Sequence, residues 1–119
     1  EVISLSDCLF CKIINKEIGS DIVFENDYVL AFKDINPVAP VHVLVIPKVH
    51  IQDLNMIDNE NQKYVCECIR AIKEVAKITG IYENGYRVIS NVGEDGGQVI
   101  PHLHFHVIGG KTLGDKIIV

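Results

Sequence analysis

PHLHFHVIGG, residues 101–110, sets a histidine at every second position: His102, His104 and His106, with Leu103, Phe105 and Val107 between and after them. Side chains on an extended strand alternate faces, so this spacing predicts a strand with imidazoles on one face and apolar residues on the other. The apolar face implies a helix-covered core. The imidazoles would line the opposite surface at intervals of roughly 6.5–7 Å. The chain has five histidines, and three in one row mark where its chemistry should be sought.

The loop before the row, NVGEDGGQV (91–99), carries Gly93, Gly96 and Gly97 near Asn91. Glycines let backbone amides approach an anion closely, which suggests a phosphate beside the imidazoles. Asp95-Gly96 is equally an ordinary hairpin turn. Farther upstream, YRVIS (86–90) and VHVLVIPK (41–48) read as strands, the latter bracketed by His42 and His50. DIVFENDYVLAFKDINP (21–37) reads as two strands around the turn Glu25-Asn26-Asp27. The spacing of Val65, Cys68, Ile69, Ile72, Val75, Ala76 and Thr79 predicts a helix from about Asp58 to Thr79, stopped by Gly80. SDCLFCKIINKEI (6–18) predicts a short amphipathic helix capped by Ser6 or Asp7 and stopped by Gly19. The fold class is therefore α+β: a five-stranded antiparallel meander with an N-terminal helix and one long helix, not an alternating βαβ array.

With 119 residues the chain fits a single domain, 1–119. No apolar run reaches the roughly 20 residues that span a bilayer. The opening EVISLSDCLF has no basic region followed by an apolar stretch, so the cytoplasm is the expected compartment. A net charge of −5 argues against broad nucleic-acid binding, yet a few local amides and imidazoles suffice for a small anion. In a reducing compartment Cys8, Cys11, Cys66 and Cys68 are thiols or metal ligands rather than disulfides. Cys66 and Cys68 lie on the long helix and read as packing residues.

GQVIPHLHFHVIGG, together with FCKIINKEI, FENDYVLAFKDINPVAPVHVLVIPK and GYRVISNVGEDGGQ, resembles the histidine triad (HIT) family, and within it the Hint branch of nucleoside phosphoramidases. The resemblance implies a homodimer sharing a ten-stranded sheet and hydrolysis of the P–N bond of adenosine 5′-phosphoramidates, with no cofactor needed for catalysis. It implies His104 as nucleophile, forming a nucleotidyl-histidine. His106 would assist at the phosphate or the leaving amine, and His42 would orient the row. Asn91, Gly97, Gln98 and Val99 would hold the phosphate, although Val99 stands where a serine is common in that branch. Asp34, with Ile35 beside it, would take the ribose; capping its own loop is the competing role. Leu9, Phe10, Ile13, Ile18, Phe32 and Leu44 would form the slot for a purine base, unless they are plain core. Dinucleoside-polyphosphate hydrolysis and a nucleotide-binding adaptor role are the alternatives. The partners implied are a purine nucleotide and a second copy of the chain, not a membrane.

Cys8-x-x-Cys11 has zinc-ligand spacing, weak by itself. Similar microbial proteins pair these cysteines with a histidine after VIPK and with the first triad histidine, which are His50 and His102 in this chain. That set implies a structural Zn2+ site of four ligands; two reduced thiols and an exposed His50 are the alternative. A catalytic ion on all three triad imidazoles is disfavoured, because the outer two stand roughly 13–14 Å apart on a straight strand.

Overall fold

The computed structural model describes residues 7–115. The strands are β1 (Ile22–Glu25), β2 (Val29–Lys33), β3 (Val41–Pro47), β4 (Tyr86–Ile89) and β5 (Phe105–Gly109); the helices are α1 (Leu9–Ile14) and α2 (Gln62–Thr79). All neighbouring strands pair antiparallel, in the order β1-β2-β3-β5-β4. The predicted meander therefore holds from β1 to β3. After α2 the chain returns at the far edge as β4, and β5 closes the gap beside β3.

β2 and β3 are apolar at successive positions because both faces of the sheet are covered. Val29, Ala31, Val43, Val45, Phe105 and Val107 pack with Cys68, Ala71, Ile72, Val75 and Ala76 of α2. Leu30, Phe32, Leu44 and Ile46 face the other way and pack with Cys8, Phe10 and Ile13 around α1. The apolar residues of the histidine stretch thus do lie on the helix-covered side, Leu103 included.

Several boundaries differ from those read in the sequence. α1 is capped by Cys8, whose Sγ accepts the Cys11 N–H; Ser6 lies outside the described residues. The helix ends at Asn15, and Lys16 takes φ 65°, so the chain turns before Gly19. α2 starts at Gln62 because Asp58 forms a turn instead, its Oδ1 accepting the N–H groups of Glu60 and Asn61. Gly80 does end α2 as predicted, in the left-handed conformation at φ 81°, with Ile81 N–H closing back on Ala76 C=O. Ile69 and Cys66 face solvent; only Cys68 of that cysteine pair packs in the core.

The turn between β1 and β2 is held by Asn26, whose Oδ1 accepts from both Tyr28 N–H and Val29 N–H. Among the described residues, no helix is long and apolar enough to cross a membrane.

Candidate active site

β5 begins only at Phe105, so His102 and His104 precede the strand. The three imidazoles are not an evenly spaced row on an open face. His102 and His104 are buried, and His106 is half-buried. Hydrogen bonding, not strand period, aims each ring.

His106 sits opposite Leu44 of β3 and Ile89 of β4, while His42 on β3 lies opposite Ile108. The two histidines are therefore diagonal neighbours across one strand pair, and His42 Nε2 lies 2.9 Å from His106 Nδ1. Val38 N–H donates to His42 Nδ1 at 3.2 Å, which places that ring's proton on Nε2. His42 then donates to His106 Nδ1, and the remaining His106 proton stands on Nε2. Asp34 Oδ2, 3.4 Å from His42 Nε2, shares that donor. His104 is set the opposite way: Nδ1–H donates to the His102 carbonyl at 2.7 Å, leaving a lone pair on Nε2. Ser90 Oγ donates to the His104 carbonyl and fixes the backbone there.

Burial favours the neutral rings. It is the first cause lowering His106 to about 4, followed by His104 and His42, with Asp34 opposing. His42 is lowered by burial against the pull of Asp34.

A cavity of about 730 Å3 opens beside these rings. It is lined by His104, His106, Asp34, Ile35, Asn91, Gly97 and Val99 at its polar end, and by Leu9, Phe10, Ile13, Ile18, Phe32 and Leu44. Phe10, Ile13, Phe32 and Leu44 are buried and form its floor as part of the core, whereas Leu9 and Ile18 are rim residues. Ile35 and Val99, 91% and 84% exposed, are not core at all. Of the residues predicted for catalysis and nucleotide binding, Gln98 and His42 do not line the cavity, His42 standing behind His106. Gln98 has a different task. Its side chain braces the loop, Oε1 accepting from Gly93 N–H and Nε2 donating to the carbonyls of Gln52 and Ile100. The N–H groups of Gly97 and Gln98 donate within the loop, to Glu94 and Gly93 carbonyls. Asp34 does cap its loop, Oδ1 accepting Asn36 N–H, while Oδ2 points to His42. Gly19, Ser20, Asp21, Lys33, Asn36 and Ile100 also line the cavity and are new to the set; only the nearness of Lys33 and Asn36 in sequence to Asp34 signalled those two.

The ring of His102 turns away into a second cluster. The ligand atoms of Cys8, Cys11, His50 and His102 lie within 4.8 Å of one another. His102 Nδ1 stands 3.3 Å from Cys8 Sγ and 3.6 Å from Cys11 Sγ, and His50 Nδ1 stands 3.4 Å from Cys11 Sγ. With Zn–S of about 2.3 Å and Zn–N of about 2.0–2.1 Å, a tetrahedral S···N edge is roughly 3.5 Å, so the spacing fits that ion. His102 Nε2–H donates to the Pro47 carbonyl at 3.2 Å, which turns the Nδ1 lone pair toward the sulfurs as ligation requires. Burial, then Cys8, pushes the Cys11 thiol up to about 12; a bound cation reverses that preference. Asp34, His42 and His106 also converge. The Val38 N–H on His42 Nδ1 puts a proton on the nitrogen that would have to ligate, so that group is a hydrogen-bond relay.

The HIT domain family model matches residues 15–113. The purine nucleoside phosphoramidase of Escherichia coli is 43% identical over 111 residues, 93% of each chain. A HIT family hydrolase from Clostridium thermocellum superposes with a TM-score of 0.93 at 47% identity, covering 97% of this chain and all of that one. A histidine triad protein from Clostridium difficile gives 0.90 at 46%, covering 96% and 99%. With the domain matched over most of its length and relatives this similar end to end, the chain belongs to the HIT family.

Proposed function

We propose that this HIT-family hydrolase cleaves the P–N bond of purine nucleoside 5′-phosphoramidates through a nucleotidyl intermediate on His104. One observation carries the reading: His104 and His106 meet the cavity in opposite tautomers, one offering a lone pair and its neighbour an N–H. The similarity to the Escherichia coli phosphoramidase supports the substrate class.

The base enters the apolar slot of Leu9, Phe10, Ile13, Ile18, Phe32 and Leu44, and the ribose hydroxyls reach the Asp34 carboxylate beside Ile35. Asn91 and the N–H of Val99, which has no internal partner among the described residues, face the phosphate. Gly97 allows its close approach, and Gln98 acts as the loop's brace. His104 Nε2 attacks phosphorus, the P–N bond breaks, and its electron pair leaves with nitrogen, which takes the Nε2 proton of His106. Giving up that proton leaves His106 an imidazolate, which the His42 N–H on its Nδ1 and the positive charge arising on the nucleotidylated His104 stabilise until water returns the proton. Water then attacks the phosphorus, returns a proton to His106 and frees His104 with release of the nucleoside monophosphate.

His104→Ala should lower kcat/KM for an adenosine phosphoramidate by at least ~10³-fold while circular dichroism stays unchanged. Residual turnover within about tenfold of the parent would remove His104 from the role of nucleophile.

Cys8, Cys11, His50 and His102 hold a structural zinc ion in this reading, closed to substrate because all four positions are protein ligands. Its chemistry is to neutralise two thiolates and tie α1 to the sheet. Elemental analysis of protein purified without chelator should find about one zinc per chain; a trace amount with intact folding rules the site out. Thiols kept for such a site suit a reducing compartment, the cytoplasm. The whole chain, 1–119, acts as one HIT domain and pairs as a homodimer through the edge strand β4.

A further inference from the structure

The cysteine–histidine cluster and the cavity are joined at a single residue. His102 gives its ring to Cys8 and Cys11 and its carbonyl to His104 Nδ1–H. Turning the His102 ring out of the cluster would shift the backbone carbonyl that keeps the His104 lone pair on Nε2. α1 makes a second connection. Cys8 caps this helix and Cys11 lies within it, while Leu9, Phe10 and Ile13 line the cavity. The Phe10 ring stands edge-on to His102 at 5.7 Å, to His104 at 5.1 Å and to Phe32 at 5.7 Å. α1 spans six residues. A helix that short has no stability of its own in water, so its place is set by what it is fastened to. His50 fastens Cys11 from outside the helix, and its ring stands edge-on to His102 at 5.0 Å.

We propose that Cys8, Cys11 and His50 are positioning residues for the nucleophile and the base slot, acting through His102 and α1, so that zinc at the cluster and a nucleoside monophosphate in the cavity bind cooperatively. The inference rests on the nucleotide reading above. A cluster that merely staples the N-terminus would leave the two affinities independent. Coupling requires each ligand to strengthen the other by the same factor, on the order of tenfold for a typical linked pair of sites.

The test uses calorimetric titration of AMP into the zinc-loaded protein and into protein stripped by chelator. Cooperative sites predict AMP affinity roughly tenfold weaker in the stripped form. Equal affinities overturn the proposal and leave the nucleotide reading standing; no AMP binding to either form overturns both. Should stripping unfold the chain, the folded Co2+-substituted protein replaces it. Its visible ligand-field bands should shift saturably as AMP is added, and bands unmoved at saturating AMP overturn the proposal. A ligand-preserving exchange separates positioning from bulk stability. His50→Cys should keep zinc and AMP affinity within about threefold of the parent, whereas His50→Ala should lose zinc and weaken AMP about tenfold. If His50→Ala stays folded, loses zinc and binds AMP as the parent does, the proposal fails.

Discussion

His42, His104 and His106 differ in what their two ring nitrogens meet, and the proposed chemistry rests on that difference. The alternating spelling at 102–106 announced the triad. Nothing in it told which nitrogen holds the proton, since that depends on Val38 N–H, the His102 carbonyl and the partner ring. The same burial has a consequence for stability. His106 is lowered to about 4 in the fold, whereas an unfolded histidine titrates near 6.5. The unfolded chain therefore binds the proton first as pH falls. The stability gained by keeping His106 neutral is complete above about pH 6.5 and is lost as pH drops toward about 4. His42, lowered in the same direction, adds to it. Urea midpoints should fall steadily across that window; a flat profile would mean that both rings are solvated in the folded state.

Among the elements, α2 and the strands were legible because their patterns follow from two covered sheet faces and one helix face. The strand order was not legible. Placing β5 between β3 and β4 depends on a register, Leu44 opposite His106 and Ile89 opposite the same residue, that no local pattern encodes. The loop from Asn91 to Val99 was recognised by its glycines, but its internal bracing was hidden. Gly96 is the position where a side chain cannot be accommodated, because an added Cβ would run into the Val92 carbonyl oxygen. Gly96→Ala should therefore displace the side of the cavity lined by Asn91, Gly97 and Val99, where the phosphate is proposed to sit. The expected result is weaker AMP binding by roughly tenfold and a loss of about 1–3 kcal/mol in stability. Calorimetry and chemical denaturation read the two effects, and an unchanged AMP affinity would separate the loop from the site.

At the level of the whole molecule, the sheet has two edges, β1 and β4. On β4, beside its free edge, Val88 is 42% exposed. Unpaired strand edges next to exposed apolar residues invite a second chain. Sedimentation velocity should give twice the chain mass at micromolar concentration, and Val88→Lys on the edge strand should shift the population to monomer. A monomer in the parent protein would exclude the shared sheet implied by the family resemblance.

The contact between Cys8 and His102 has one more consequence. It spans 94 residues of chain, and that between Cys11 and His102 spans 91. Both are long-range closures whose entropy cost is met only after the intervening sheet has given them a frame. As the polypeptide emerges during synthesis, α1 waits, unattached, for a histidine made 94 residues after Cys8. The His104 imidazole, held by the His102 carbonyl, acquires its orientation in that same closing event. A nascent chain halted before residue 102 holds α1, α2 and β1 to β4 but lacks His102, His104 and His106, so the proposed chemistry waits for the segment that carries them.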